Sequence, residues 1–189
     1  MNRYPVVAGT FYPGDNEELR KMMEEFFPLL PAPKTDYIEP TGLICPHAGY
    51  VFSGKTAAYG YYEIFKKGKI KSVILIGPNH TGVGPNISVY PEGKWITPFG
   101  DLEVDEKVYE LLSNLKIKGD YSAHQYEHSI EVQLPFLQFL YGNTFKIIPI
   151  ILGDQTLHTS KKILHHTTSA EVFGDYDRTV GYLSAILEK

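Results

Sequence analysis

Two histidines follow apolar segments at equivalent places in the sequence. His47 comes after the apolar run at 42–45 and Pro46, and His80 comes after the run at 72–76 and a Gly-Pro-Asn turn. If both runs are strands of a parallel sheet, both imidazoles lie at its carboxyl edge, where ligands collect in open α/β proteins. Neutral imidazole is a common ligand of iron, zinc and copper. The spacing therefore indicates a metal site, and two unrelated loop histidines are the alternative.

A second polar group lies near residue 126. His124 and His128 are four residues apart, as are Glu127 and Glu131, so each pair would share a face of a helix. The order lacks the His-Glu-x-x-His pattern of zinc proteases. We interpret His128 as a candidate general acid or base, because the pKa of imidazole is near neutral. Glu127 is a candidate to orient an imidazole, and a polar helix start is the alternative.

Three further side chains flank these histidines and are candidates to line the pocket: Tyr50, Asn79 and Cys45. Cys45 ends an apolar run, which favours a small buried hydrophobe over a nucleophile. A nucleophilic cysteine would need a paired histidine and partial exposure. Most tyrosines are predicted to be packing residues, and a few near the histidines could contact an aromatic ligand.

The elements that would position these residues alternate between helix and strand. Hydrophobic spacing predicts a helix capped by Asp15, a strand at 42–45, a helix at about 55–67 capped by Ser53, and strands at 72–76 and 145–152. The alternation indicates a parallel α/β sheet with right-handed crossovers. Residues 95–100 are predicted to be a loop. Within 124–141, Pro135 predicts either a kinked helix or a helix that begins close to it.

Composition limits the class of protein. The chain has 189 residues, 43% hydrophobic and 21% charged, which favours one globular domain over a disordered chain. Its net charge of −4 argues against a nucleic-acid partner. No apolar run is long enough to span a membrane, and the N-terminus lacks the apolar core of a signal peptide. With its single cysteine in addition, we expect a cytoplasmic protein.

Several motifs together resemble the Memo family, which is named for a mediator of cell motility and has uncharacterised archaeal and bacterial members. The matching segments are Val7–Pro13, Pro46–Tyr50 with Ser53 and Gly54, Gly77–His80, Trp95–Gly100, Glu127–Glu131 and Leu134–Phe136. They are collinear over most of the chain. The joint match is far more specific than any one of the motifs.

The resemblance implies a three-layer α/β/α fold with a central, mostly parallel or mixed sheet, similar to class III extradiol dioxygenases. It implies that His47 and His80 match the two metal-ligating histidines of the family site. It also implies that His128 matches the histidine that lines this site, where the dioxygenases keep an acid or base. Iron(II) is the expected metal, copper and zinc are alternatives, and a site without metal remains open.

The function implied by the resemblance is a non-haem metal cleft with a redox or dioxygenase-like activity. Whether the family catalyses a reaction is unsettled, and a hydrolase ranks lower. The alternative is a non-catalytic module that binds a peptide, phosphopeptide or protein in the same cleft. The expected partners are a small molecule or peptide, with AMMECR-type and radical SAM proteins suggested by the family, and an oligomer is compatible with the sequence.

One family segment is absent from the sequence. Memo-family members usually carry a long segment with a Ser-Ser-Asp-x-x-His motif, which here would lie between about residues 162 and 164. The third metal ligand of the family is therefore absent from this chain. We expect one Memo-type domain over residues 1–189 and favour omission or truncation over a compact variant. Loss of a strand and helices would expose a large apolar surface, which monomers rarely tolerate.

Overall fold

The computed structural model describes residues 1–29, 41–168 and 179–183. In chain order these ranges contain β1 (Asn2–Arg3), α1 (Asn16–Phe26), β2 (Thr41–Leu43), α2 (Tyr50–Phe65), β3 (Ser72–Pro78), β4 (Ile87–Val89), β5 (Lys94–Thr97), β6 (Gly100–Glu103), α3 (Val108–Leu115), α4 (Leu134–Tyr141), β7 (Lys146–Leu152), α5 (Leu157–Thr168) and β8 (Thr179–Leu183). Two short 3-10 turns, Ser122–His124 and Glu131–Gln133, precede α4.

The strands form two sheets within the described ranges. The larger sheet has the order β2-β8-β3-β7-β4, in which β4 is antiparallel to β7 and the other pairs are parallel. The smaller sheet has the order β1-β5-β6, with β1 parallel to β5 and a β5–β6 hairpin. The carboxyl ends of β2 and β3 therefore lie at the same edge of the larger sheet.

Successive residues of β3 enter two separate hydrophobic clusters. Val73 and Leu75 pack with residues of α1, α2 and α4, whereas Ile74 and Ile76 pack with residues of α3 and α5. This alternation follows from the two-residue period of a strand that is buried on both faces. The α/β class is therefore confirmed, while the layer arrangement of the extradiol dioxygenases stays a prediction.

The hairpin contradicts one sequence prediction. Residues 95–100 were expected to be a loop, but they form most of β5 and the start of β6. Trp95 and Thr97 alternate inward along β5, and Gly100 adopts a φ of +109°, which suits a tight turn. Pro98 lies in the turn itself, so it ends β5 and does not prevent pairing.

The start of α1 agrees with the prediction, whereas the start of α2 does not. Asp15 caps α1 as predicted, accepting hydrogen bonds from the Glu17 and Glu18 amides. The predicted start of α2 near residue 55 is wrong, since α2 begins at Tyr50, which is buried, and is capped by Gly49.

Only the last part of residues 124–141 is α-helical, because α4 begins at Leu134 with Pro135 in its first turn. Of the two alternatives for this segment, the helix that begins close to the proline is therefore confirmed. His124 and His128 lie in the preceding turns and share no helical face.

No helix in the described part of the chain is both long and apolar enough to cross a bilayer.

Candidate metal centre

The ends of two parallel strands bring the first two histidines together. β2 ends at Leu43, shortly before His47, and β3 ends at Pro78, directly before the turn that carries His80. The two imidazole centroids are 5.2 Å apart. His128 completes the group from the turns before α4, with its centroid 4.6 Å from that of His80 and 5.9 Å from that of His47. One ligand atom from each ring lies within 4.8 Å of the others.

A buried carboxylate lies behind this group. Glu127 Oε1 is 2.9 Å from His80 Nδ1, and Glu127 Oε2 accepts the His80 backbone N–H at 2.5 Å. Oε1 also accepts the backbone N–H groups of His128 and Ser129, each at 2.8 Å. Because Nδ1 of His80 is engaged by Glu127, its Nε2 is left for an external ligand. A carboxylate in this place orients metal-ligating imidazoles.

The electrostatics favour neutral imidazoles beside an ionised carboxylate. Burial, and then the neighbouring imidazoles, lower the pKa of His47. Burial also lowers the pKa of His128, although Glu127 opposes this. Burial raises the pKa of Glu127, but hydrogen bonds from His80 and Ser129 outweigh that effect, so its pKa lies below the usual value. At neutral pH, His47 and His128 are therefore uncharged, and each has a ring nitrogen whose lone pair can bind a metal.

The donor set suits a transition metal. His47 Nδ1 is buried and has no hydrogen-bond partner in the described part of the chain. Three imidazole nitrogens in one small space match the preferences of zinc, copper and iron, and not those of calcium or magnesium. The residues present therefore fit the group that the sequence predicts.

Close packing fixes the distance between the strand end and the turn of His128. The Ser129 hydroxyl donates to the Pro78 carbonyl oxygen at 3.1 Å. Gly77 allows this approach, because a Cβ at that position would overlap the Ser129 hydroxyl. His80 follows Pro78 by two residues, and His128 directly precedes Ser129, so each histidine lies next to one of the two packed segments.

The three histidines open into a cavity of about 800 Å³. Its wall is completed by Phe11, Ile44, Cys45, Pro46, Ala48, Gly49 and Phe52. Phe11 makes an edge contact with His128, with ring centroids 4.9 Å apart. Among the residues that the structure describes, this wall includes no Lys, Arg, Asp or Glu. The cavity therefore offers imidazole nitrogens surrounded by apolar groups.

Comparison with known proteins identifies the family. A family model described as Memo-like protein matches residues 3–163, which is most of the chain. This chain belongs to the Memo-like protein family. The family assignment predicted from the motifs is therefore confirmed.

The Memo-like chain is similar to proteins from several archaea, each named MEMO1 family protein. It is 46% identical over 179 residues to one from Ignicoccus hospitalis, covering 89% of this chain and 62% of the relative. It is 45% identical over 173 residues to the relative from Methanobrevibacter smithii, covering 86% of this chain and 61% of the relative. It is 47% identical over 160 residues to the relative from Thermococcus onnurineus, covering 82% of this chain and 54% of the relative. The chain thus spans less than two thirds of the length of these relatives.

Two predicted pocket residues of the Memo-like chain make other contacts. Tyr50 is buried, and its hydroxyl donates to the Val132 carbonyl oxygen at 2.7 Å. Asn79 folds its own turn, since its side-chain oxygen accepts the N–H groups of Thr81 and Gly82. Neither belongs to the cavity wall described above. Their contacts support the loops that carry the histidines.

Cys45 does lie in the cavity wall, but its thiol is only slightly accessible. The residue is 5% exposed, and burial raises the pKa of the thiol to about 12. The thiol is therefore protonated at neutral pH. This state agrees with a small buried hydrophobe and does not suit a nucleophile.

Sequence reasoning missed the connections that support this Memo-like site. Phe11 reaches His128 from the N-terminal segment, and a buried ion pair joins Arg3 to Glu131. Their partners are more than 100 residues away, so no local spacing could have shown them. His124 does not lie beside His128 on one face of a helix. It is instead fully buried against the rings of Tyr90 and Trp95.

Proposed function

We propose that this Memo-like protein binds a transition-metal ion through His47 and His80, with the His128 imidazole beside them as a group that can accept a proton. The observation that carries the proposal is the approach of three imidazole ligand atoms to within 4.8 Å of one another. The Glu127 carboxylate supports it by orienting His80 from behind. Iron(II) is the metal that we favour, with copper or zinc as alternatives, since imidazole suits all three.

The proposed chemistry is redox or dioxygenase-like. A bound iron ion would supply redox chemistry at coordination positions that the protein leaves open. The protein's own contribution is to hold the imidazoles, to surround them with apolar side chains, and to accept or donate a proton. His128 is the group for the last task, because its lowered pKa leaves it neutral and able to accept a proton from a bound molecule.

The cavity wall favours this function over binding of a phosphorylated peptide. A phosphate group is usually bound by arginine, lysine or a cluster of backbone N–H groups. The described wall has only imidazoles as potential cations, and burial disfavours their protonation in His47 and His128. A neutral ligand with apolar surface matches the wall better. A peptide in the same cleft stays the second candidate function.

Three broader proposals rest on the family resemblance or on the composition of the chain. They are the layer arrangement of class III extradiol dioxygenases, a cytoplasmic location, and association with AMMECR-type and radical SAM proteins. The packing of helices from both hydrophobic clusters against β3 supports the first of these. The other two gain no support from the described contacts.

The test is an anaerobic metal analysis with a matched pair of variants. Purified protein is titrated with Fe²⁺, Co²⁺ and Zn²⁺, and bound metal is measured after desalting. We expect about one equivalent in the wild type, and loss of binding in the His47→Ala/His80→Ala variant. His158→Ala, which changes an exposed histidine, should bind as the wild type does. The proposal fails if the double variant retains the same metal content or if the wild type binds none.

A second titration separates the alternative function. Phosphopeptides are added to metal-free and metal-loaded protein, and binding is followed by calorimetry. Saturable binding to metal-free protein that does not change on loading would favour the binding module over the metal centre.

A further inference from the structure

A buried ion pair connects the N-terminal segment with the turns that carry Glu127 and His128. Arg3 Nη1 is 2.5 Å from Glu131 Oε2, and the two side chains are 3% and 0% exposed. Neither residue lies in the cavity wall or contacts the three histidines directly. The ion pair therefore requires an explanation outside metal ligation.

Arg3 also donates hydrogen bonds to backbone carbonyl groups of the same turns. Its Nε donates to the His124 carbonyl oxygen at 3.1 Å, and its Nη2 donates to the Glu127 carbonyl oxygen at 2.6 Å. The guanidinium group also lies over the Trp95 ring, 4.6 Å from the centroid. The planar fork of arginine thus fixes both ends of residues 124–127 in one geometry.

Glu131 holds the other side of this connection. Its carboxylate accepts the backbone N–H groups of Val6 at 2.9 Å and Val7 at 3.0 Å. It also accepts the Tyr12 hydroxyl at 2.8 Å. The carboxylate therefore binds three points of the N-terminal segment in addition to Arg3.

The N-terminal segment held in this way reaches the metal centre on two sides. The Phe11 ring touches the edge of His128, and the Phe11 carbonyl oxygen accepts the Tyr50 N–H at 2.8 Å. Tyr50 begins α2, three residues after His47. The segment therefore contacts one histidine directly and supports the loop of another.

We propose that Arg3 and Glu131 are positioning residues of the metal centre, which set the placement of Glu127 and His128. This inference rests on the proposed metal-binding function. A buried ion pair adds little net stability compared with a neutral pair of similar volume, whereas its directional hydrogen bonds define a single arrangement. A role in positioning therefore predicts that the double variant, which removes both charges, loses metal affinity while it keeps most of its stability.

The experiment compares Co²⁺ affinity with stability in five proteins. They are the wild type, Arg3→Lys, Arg3→Met, the double variant Arg3→Met/Glu131→Gln, and Leu111→Ala as a control. Leu111 is buried in the cluster around α3 and touches none of the site residues, so its truncation lowers stability alone. Dissociation constants come from competition titrations, and stability comes from urea unfolding.

We expect Arg3→Met and the double variant to bind Co²⁺ on the order of 10-fold more weakly than the wild type, as for loss of supporting contacts around metal ligands. Arg3→Lys should lie between them and the wild type, because lysine keeps the charge but lacks the fork. Leu111→Ala should bind with unchanged affinity. The inference is overturned if the folded Arg3 variants bind as the wild type does, or if Leu111→Ala weakens binding equally.

A metal-free measurement keeps this inference separate from the proposed function. Nitrogen-15 chemical shifts of the His80 and His128 ring nitrogens report ring placement without any metal. Altered shifts in Arg3→Lys or the double variant, with unchanged shifts in Leu111→Ala, would support positioning even if the wild type binds no metal. Unchanged shifts in both Arg3 variants would overturn it. If Arg3→Met does not fold, Arg3→Lys and the double variant, which leaves no unpaired buried charge, decide the result.

Discussion

Glu127 holds His80 at two points, one on the ring and one on the backbone. Its Oε1 lies 2.9 Å from the ring Nδ1, and its Oε2 accepts the backbone N–H at 2.5 Å. The same carboxylate accepts the backbone N–H of His128. One buried side chain therefore fixes the ring of His80 and the backbone of His128, and it determines which nitrogen of His80 is available to a metal.

Replacement of Glu127 by glutamine should weaken metal binding by about 10- to 100-fold. The amide nitrogen of glutamine would face backbone N–H groups that donate to the carboxylate in the wild type, so one donor would meet another. The substitution would also remove the negative charge beside His80. Competition titration with Co²⁺ measures the effect. Glu63→Gln is the matched control, because Glu63 is exposed and pairs only with Lys66 on the surface of α2 among the described ion pairs. Equal affinities in the two variants would contradict a role for Glu127.

A methyl group at Gly77 should disturb the site through Ser129. The added Cβ would overlap the Ser129 hydroxyl and push the turn of His128 away from the end of β3. We expect Gly77→Ala to lower the free energy of unfolding by about 1–3 kcal/mol, the usual cost of overpacking, and to weaken Co²⁺ binding.

Gly153→Ala supplies the comparison for this variant. Gly153 follows β7, the strand next to β3, and a Cβ there would meet its neighbours only at ordinary contact distances of 3.5 Å or more. Urea unfolding and Co²⁺ titration are measured for both variants. If Gly77→Ala matches Gly153→Ala in both quantities, the packing of Ser129 does not set the geometry of the site.

The elements that depend on local patterns could be predicted from the sequence. The buried strands β3 and β7 are continuous apolar runs, and Asp15 has the spacing of a helix cap, so each signal lies within a few residues. The placement of His47 and His80 followed from the rule that parallel strands share a carboxyl edge. The hairpin at 95–100 was missed because a proline and a glycine in its turn resemble a loop signal.

The supporting contacts of the site could not be predicted in this way. Arg3 and Glu131 are separated by 128 positions, and neither belongs to a periodic pattern. The turns that carry Glu127 and His128 are held by this ion pair and by hydrogen bonds to the end of β3, and not by helical propensity. The helical interpretation therefore selected Glu127 and His128, which do lie at the site, but it assigned them to a helix where the structure has turns.

His124 should make the protein less stable as the pH falls below 6.5. Burial lowers the pKa of His124 to about 3 in the folded protein, whereas an unfolded chain has a histidine pKa near 6.5. Above pH 6.5 both states are neutral and the residue adds no pH dependence. Between pH 6.5 and 3 only the unfolded chain takes up the proton, so the free energy of unfolding falls by about 2 kcal/mol by pH 5.

Two measurements check the role of His124. Urea unfolding of wild type and His124→Gln at pH 7.5 and 5 should show a larger loss of stability in the wild type. If the variant does not fold, proton NMR of the wild type decides, because the His124 ring signals should not titrate between pH 8 and 4.5. A midpoint near pH 6 for this residue would contradict the prediction.

Cys45 should resist alkylation in the folded protein. It is the single cysteine of the chain, it is 5% exposed, and burial raises the pKa of its thiol to about 12. At pH 8 the thiolate fraction is then about 1,000-fold or more below that of a free cysteine. We expect iodoacetamide to modify the native protein very slowly and the urea-unfolded protein within minutes, as followed by mass spectrometry.

A Cys45→Ala/Ser113→Cys variant, with its cysteine at an exposed position of α3, should react quickly in the folded state. Rapid modification of native wild-type protein would instead indicate an accessible thiol at the wall of the candidate metal centre.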